Sequence, residues 1–458
     1  MKGVLIAGSA SGVGKTTISL AIAALLRARG LNVQAFKCGP DFLDTGHLTA
    51  VTGRPTLNLD GWMLNREEIC DAVSEATADA DFAVVEGMMG LFDGTSGEGE
   101  KGSSAEIAKI LSLPVVLVVD ASKSARSIAA VIRGFEVFDP DLRFTGVVLN
   151  GVASEAHYRL LAEAIVRNCS MPILGWVPHH QTIHIPERHL GLHTAAEIDW
   201  NEKKSALETL AAERLKLDLL LAAELREEVR PPAVSKPIAS HRITVGIARD
   251  QAFCFYYQDN LNLLERAGAK LVEFSPLRDA TLPAGLDALY IGGGYPELYA
   301  SQLNANTDLA KEVREFAVSG RPIYAECGGM MYLGERLRTG DGQVHSMAGV
   351  LPLETEMTEK LVRFGYVEIE LLHDSLIGAR ATVLRGHSFH HSRCTNTRQV
   401  VPAFCARYTL SGANAEEGYA NGNVFASYIH LHFRGTPEIA ERFVLAAEEA
   451  AHCRTEAR

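Results

Sequence analysis

Short, unbroken apolar runs alternate with helical patterns through the first half of the chain, and that rhythm restricts the fold more than any other feature. The runs are Val4–Ala7, Val33–Phe36, Phe82–Val85, Val115–Asp120, Gly146–Leu149 and Ile173–Val177. Strands without a polar face need cover on both sides, and a strand followed by a helix returns parallel to itself. The expectation is an α/β architecture: a doubly wound, mainly parallel sheet. A second series, Ile243–Ala248, Lys270–Phe274, Ala288–Ile291, Pro322–Ala325 and Val424–Ile429, predicts another such domain. Between the two, Ser205–Glu228 reads as helix and Arg230–Ile238, rich in proline, as a linker. The expected division is therefore residues 1–228, a linker at 229–241, and 242–458; a chain of 458 residues is too long for one ordinary core.

Sheets of this kind bind ligands beyond the carboxyl ends of their strands, so the motifs at those points carry the chemistry. After the first strand comes Gly8-Ser9-Ala10-Ser11-Gly12-Val13-Gly14-Lys15-Thr16-Thr17. Glycines let backbone N–H groups close around phosphate oxygens, Lys15 would reach the terminal phosphates, and the Thr16 hydroxyl would hold Mg²⁺. Strict Walker A spacing would put glycine where Ser9 stands, so this is a variant. Gly12, Val13, Gly14, Lys15, Thr16 and Thr17 are the expected ATP-binding residues, and Asn150, ending the fifth strand, could read a base edge or be an ordinary turn residue. Partition-type switch ATPases carry a second lysine four or five residues before the first; Ala10 stands there, which lowers that reading.

The next two strand ends bring acids to the same mouth. Glu86 directly follows an apolar run and is placed to ligate or orient Mg²⁺, with Thr16 and Asp41 as the other expected ligands. Asp41, Asp44 and Asp93 could hold metal, position a substrate or neutralise Lys37; each taken singly could also be a turn or cap residue. Lys37, Asp44 and Asp93 are candidates for substrate binding or phosphoryl transfer. The histidine-rich stretch 179–193 has no carboxylate or cysteine at metal-binding spacing and reads as a loop.

In the second half Arg321–Leu333 has the outline of a nucleophile elbow. An apolar run ends at Cys327, Gly328 and Gly329 follow, and a helical pattern begins. The positive end of that helix would favour thiolate. Gly292-Gly293-Gly294 closes the strand before it, so N–H groups of Gly293, Gly294 and Gly328 could stabilise an oxyanion. The thiolate needs a base; by alternation His430 and His432 share a strand face, and either could reach it. Arg385–His391 is a further histidine-bearing turn without an assigned role. The other seven of eight cysteines have no motif around them and read as reduced thiols.

A net charge of −12 argues against broad nucleic-acid binding, and no apolar run approaches the roughly 18 residues needed to cross a bilayer. With no leader pattern before the first strand, a cytoplasmic location is expected.

Taken in order, Ser11–Thr17, Lys37–Asp44, Val85–Gly94, Arg188–Leu192, Gly292–Glu297, Tyr324–Gly329 and Ser427–Phe433 resemble the cobyrinic/hydrogenobyrinic acid a,c-diamide synthases, glutamine-dependent ligases of corrin biosynthesis. The resemblance implies a dethiobiotin-synthetase-type P-loop domain followed by a class I glutamine amidotransferase domain. It implies ATP, Mg²⁺, L-glutamine and a corrinoid tetracarboxylate as cofactor and partners. A homodimer is the assembly considered, with no nucleic acid or membrane partner. Cys327 matches the glutaminase nucleophile and His430 its base. Class I glutaminases usually carry Glu two residues beyond that histidine; His432 stands there, so a dyad is implied. Hydrogenobyrinic acid and nickel sirohydrochlorin are the alternative substrates. A switch ATPase with a silent amidotransferase half is the alternative of another class.

Overall fold

The computed structural model describes residues 2–178, 187, 188, 191, 192, 194–221 and 242–456. The expected linker and the unassigned histidines of the stretch 179–193 lie outside them. The chain divides into two compact units, Met1–Val234 and Ser235–Arg458.

The first unit is built on a seven-stranded sheet: β1 (Lys2–Gly8), β2 (Val33–Cys38), β3 (Leu57–Leu59), β4 (Phe82–Glu86), β5 (Val115–Asp120), β6 (Phe144–Val152) and β7 (Ile173–Pro178). The order is β3-β2-β4-β1-β5-β6-β7 and every ladder is parallel. Val4, Ile6, Val84, Val116 and Val118 face one apolar layer; Leu5, Ala7, Phe36 and Val85 face the other. Alternate residues of one strand thus feed two cores, which is why the strands lack a polar face. β3 is too short for its pattern to stand out in the sequence. The helix expected over Ser205–Glu228 begins earlier, at Trp200, and stops at Arg214; Leu217–Leu221 is a separate turn of helix. The break is a tertiary effect: Lys216 N–H donates to Leu174 O on β7, and Leu215 bridges to Gly175.

In the second unit the expected parallel strands are present: Ala269–Phe274, Ile243–Ala248, Ala288–Ile291, Ile323–Glu326 and Val424–Ser427 lie side by side in that order. The sheet then continues antiparallel through Asn414–Asn421, Pro402–Tyr408, Arg363–Leu371 and Val383–His390 to His430–Leu431, a run the sequence pattern did not single out. The strand expected over Val424–Ile429 therefore ends at Ser427, whose hydroxyl accepts from Ile429 N–H at 3.1 Å and turns the chain. Three residues later the chain pairs with the far end of the same sheet, His387 opposite His430. The sheet curls until its last antiparallel strand comes within two residues' reach of the parallel strand beside the cysteine.

Candidate functional site: a phosphate loop and a cysteine centre

In the first unit, β1 ends at Gly8 and the helix Lys15–Ala28 begins behind a loop whose Gly12 and Gly14 have φ of +74° and +96°. Gly14 is required twice over, because a Cβ there would also meet Asn150 Nδ2 at 2.2 Å. Asn150 donates that amide to Val13 O at 2.9 Å, so this group buttresses the loop. Lys15 Nζ donates to Ala10 O at 3.1 Å, curled over its own loop. Burial, then the charge of Lys37, lower its amine to about 8. Thr17 lies in the first turn of the helix.

Behind the loop is a buried charge cluster. Lys37 Nζ lies 2.6 Å from Asp44 Oδ2 and 2.8 Å from Glu86 Oε1, and donates to Gly87 O. Burial alone would lower Lys37; Asp44 and Glu86 outweigh it and raise it above the ordinary lysine value. For Asp44 burial is again opposed, and Lys37 holds the carboxyl below its usual value. Glu86 is pushed up to about 7 by burial and by Asp44. The Thr16 hydroxyl donates to Glu86 Oε1 at 2.8 Å and approaches Asp44 Oδ1 at 3.4 Å. Asp41 flanks this group: its Oδ1 accepts from Asp44 N–H at 2.7 Å at the start of the helix Leu43–Thr52, and burial and the charge of Asp44 push its carboxyl up to about 6 against the pull of Lys37. Asp93 likewise accepts from Gly90 N–H at 2.8 Å and closes its own turn. Asn58, on the overlooked β3, donates to Gly39 O and Asp41 O and fixes the loop that presents Asp44.

The cluster fits a hard cation. Glu86 Oε2 is buried without a hydrogen-bond partner, beside the Thr16 hydroxyl and the Asp44 carboxylate. No set of three or more His, Cys, Asp or Glu side chains among the described residues converges as a metal cage. Mg²⁺ does not need one, since it takes one or two protein oxygens and completes its shell with phosphate and water.

In the second unit Cys327 ends the strand Ile323–Glu326 with φ +46° and ψ −104°, a backbone conformation that costs a non-glycine residue about 1–3 kcal/mol. Two close approaches make the following residues glycine. A Cβ on Gly329 would strike Ile291 O at 2.1 Å, and one on Gly328 would come within 2.9 Å of Pro296 Cδ and 3.1 Å of Gly294 N. The helix after the cysteine is six residues long, Gly328–Leu333, so its dipole is short and the principal positive partner of the thiol is His430. His430 hydrogen-bonds Cys327, and its Nδ1 donates to Glu326 Oε2 at 3.3 Å. Burial opposes the imidazolium, but Cys327 and Glu326 raise it from 6.5 to about 10.

Glu326 was not anticipated as a site residue. It is 1% exposed and fully engaged: Tyr324 donates to Oε1 at 2.6 Å, Leu431 N–H to Oε1 at 3.2 Å, and Tyr290 to Oε2 at 3.2 Å. Together with His430, these donors give both carboxylate oxygens hydrogen-bond partners inside the domain. The implied dyad is thus completed by the residue immediately before the nucleophile, not by one after the histidine. His432 is directed elsewhere. Strand geometry stops at Leu431, and the His432 ring packs on Tyr257 with Nε2 3.8 Å from Asp259. Alternation therefore does not bring both histidines to the thiol. Of the three expected oxyanion donors, Gly293 N–H is spent on Phe255 O at 3.2 Å, leaving Gly294 and Gly328 side by side. The segment Arg385–His391, expected as a turn, is instead strand through His390, paired on both sides; His387 is buried there opposite His430 and held neutral, at about 3, by burial and by that neighbour. His390 stacks on Tyr428 at 3.8 Å.

A phosphate loop and a Cys–His–Glu centre, each on its own α/β unit, define a nucleotide-dependent enzyme coupled to a glutamine amidotransferase. The family models agree: a CobQ/CobB/MinD/ParA nucleotide binding domain matches residues 4–192, and a CobB/CobQ-like glutamine amidotransferase domain matches 244–438. The chain is 46% identical over 450 residues to the cobyrinate a,c-diamide synthase of Syntrophotalea carbinolica, covering 96% of this chain and 97% of that one. It is 42% identical to the enzymes of that name from Salmonella typhimurium (97% of each chain) and Streptococcus sanguinis (98% of this chain, 100% of that one). The chain belongs to the cobyrinate a,c-diamide synthase family. Among its described residues no helix is long and apolar enough to cross a membrane.

Proposed function

We propose that this chain amidates the a and c carboxylates of cobyrinic acid, using ATP and glutamine, in the biosynthesis of cobalamin. Likeness along the whole chain to enzymes named for that reaction supports the substrate; the Cys327–His430–Glu326 geometry supports the nitrogen donor. In the second unit the Cys327 thiolate adds to the side-chain amide carbon of glutamine, and the oxyanion is held by Gly294 and Gly328 N–H. His430 passes its proton to the departing nitrogen, and ammonia leaves. His430, again neutral, takes a proton from the water that hydrolyses the thioester to glutamate. Glu326 fixes the tautomer throughout.

In the first unit a corrinoid carboxylate oxygen attacks the γ-phosphorus of ATP and ADP departs, giving an acyl phosphate. Ammonia then adds to the acyl carbon and phosphate leaves, once for each carboxylate. Gly12–Thr17 cradle the phosphates and Lys15, once drawn off Ala10 O, follows the charge of the transferring group. Mg²⁺ would be held by Thr16 and Glu86, with Asp41 and Asp44 the carboxylates nearest to them, and would neutralise charge on the nucleotide's phosphates. Lys37 keeps Asp44 ionised. We place the reaction in the cytoplasm.

The deciding experiment offers cobyrinic acid, hydrogenobyrinic acid and nickel sirohydrochlorin separately, with ATP, Mg²⁺ and glutamine, and reads products by mass spectrometry. Two successive amidations of cobyrinic acid are expected. Amidation of only another macrocycle would overturn the substrate, and amidation of none would overturn the reaction.

A further inference from the structure

Beyond the strand Ala288–Ile291 the chain forms one wall of the cysteine centre. A Cβ on Gly293 would meet His430 Cε1 at 2.6 Å, and one on Gly328 would meet Pro296 Cδ at 2.9 Å. Glu297 follows Pro296 directly, in the single 3-10 turn Pro296–Tyr299. It therefore stands one residue from contact with the residue after the nucleophile. Its side chain is half-buried, and among the described residues no Lys, Arg or His pairs with it and no side chain donates to it. Burial pushes the carboxyl up to about 7, opposed only by its own backbone N–H. Glu326, in the same cysteine centre, shows what this domain does with a carboxylate meant to be self-sufficient: it surrounds it with donors. Glu297 has only its own backbone N–H and a half-buried carboxyl free to meet something that enters the site.

The glutamine substrate carries a group of the complementary charge. When the glutamine amide carbon lies at Cys327, its α-nitrogen is four bonds away, about 5 Å in an extended side chain. That nitrogen is an ammonium at neutral pH, with three donors and a full positive charge. We propose that Glu297 anchors the α-ammonium group of glutamine and so selects a free amino acid over other primary amides. The proposal rests on the glutaminase reading above.

It is tested on the full-length enzyme by ammonia release from glutamine and from 4-carbamoylbutanoate, which is glutamine without its α-amine. The wild type is expected to prefer glutamine by about 10- to 100-fold in kcat/KM, the range for a charged hydrogen bond. In Glu297→Gln, which keeps shape and loses charge, the preference should fall to within about threefold, through KM for glutamine, with 4-carbamoylbutanoate turnover unchanged. Glu297→Asp should restore part of it. Ammonia-driven ligation should be unaffected in each variant. A preference that survives in Glu297→Gln, or equal slowing on both amides, would overturn the anchor and leave the glutaminase standing. A wild type that releases no ammonia from glutamine would overturn both.

Discussion

The sharpest consequence of the cysteine centre concerns Glu326→Gln. Glu326 Oε1 receives Tyr324 O–H at 2.6 Å and Leu431 N–H at 3.2 Å; Oε2 receives Tyr290 O–H and His430 Nδ1. A tyrosine hydroxyl can turn to accept instead, but the Leu431 N–H cannot. Glutamine must therefore put its carbonyl oxygen at the Oε1 position and its NH₂ at the Oε2 position, facing His430 Nδ1. Two donors cannot pair, so Nδ1 has to become the acceptor and the proton moves to Nε2, the nitrogen left for the thiol. The base then points its proton at the group it should deprotonate. A wrong tautomer costs an acyl-transfer triad as much as about 10⁴-fold in kcat, whereas loss of one charged hydrogen bond alone costs about 1.5–3 kcal/mol, or roughly 10- to 150-fold. The 3.3 Å bond here is long, which places the expected loss at about 10²- to 10³-fold. Glutamate release measures it, with ammonia-driven ligation as the internal control and a melting curve to confirm folding. Glutamine hydrolysis within about threefold of wild type, in a folded variant, would refute the positioning role and reduce Glu326 to a buried packing group.

Cys327→Ala should abolish glutamine-driven amidation while ammonia-driven amidation persists; equal loss of both would contradict the division of labour between the units. Lys15→Ala should remove ATP-dependent ligation, by at least about 100-fold, and leave glutamine hydrolysis measurable; intact ligation would be decisive against the phosphate loop as the ATP site. The pH profile follows from His430, whose value rises from 6.5 to about 10 in the fold. Its contribution to stability is complete below about 6.5 and lost as pH rises through about 10. Glutamine hydrolysis should fall over that alkaline limb, and Glu326→Gln should move the limb to lower pH; a limb that stays put would show that Glu326 does not hold the imidazolium.

Much of this molecule was legible without coordinates, and the reason is locality. The apolar runs of the first unit had to become a parallel sheet covered on both faces. Gly12 and Gly14 had to turn the phosphate loop, and Gly328 and Gly329 had to let Cys327 sit at a strained strand end. Each of these follows from residues within a few positions of one another. Tertiary structure decided the pairings between segments far apart in the chain. Only the fold brings Asp44 within 3.4 Å of the Thr16 hydroxyl beside Glu86, while Asp41, three places earlier, gives an oxygen to Asp44 N–H. Glu326 stood next to Cys327 in plain view, yet its partner His430 is 104 positions away and becomes its neighbour only where the sheet curls back on itself. That same curl ends strand alternation at Leu431 and separates His430 from His432. A side chain's own neighbours along the chain set its local geometry, but the partner that gives it a charge state comes from wherever the sheet happens to close.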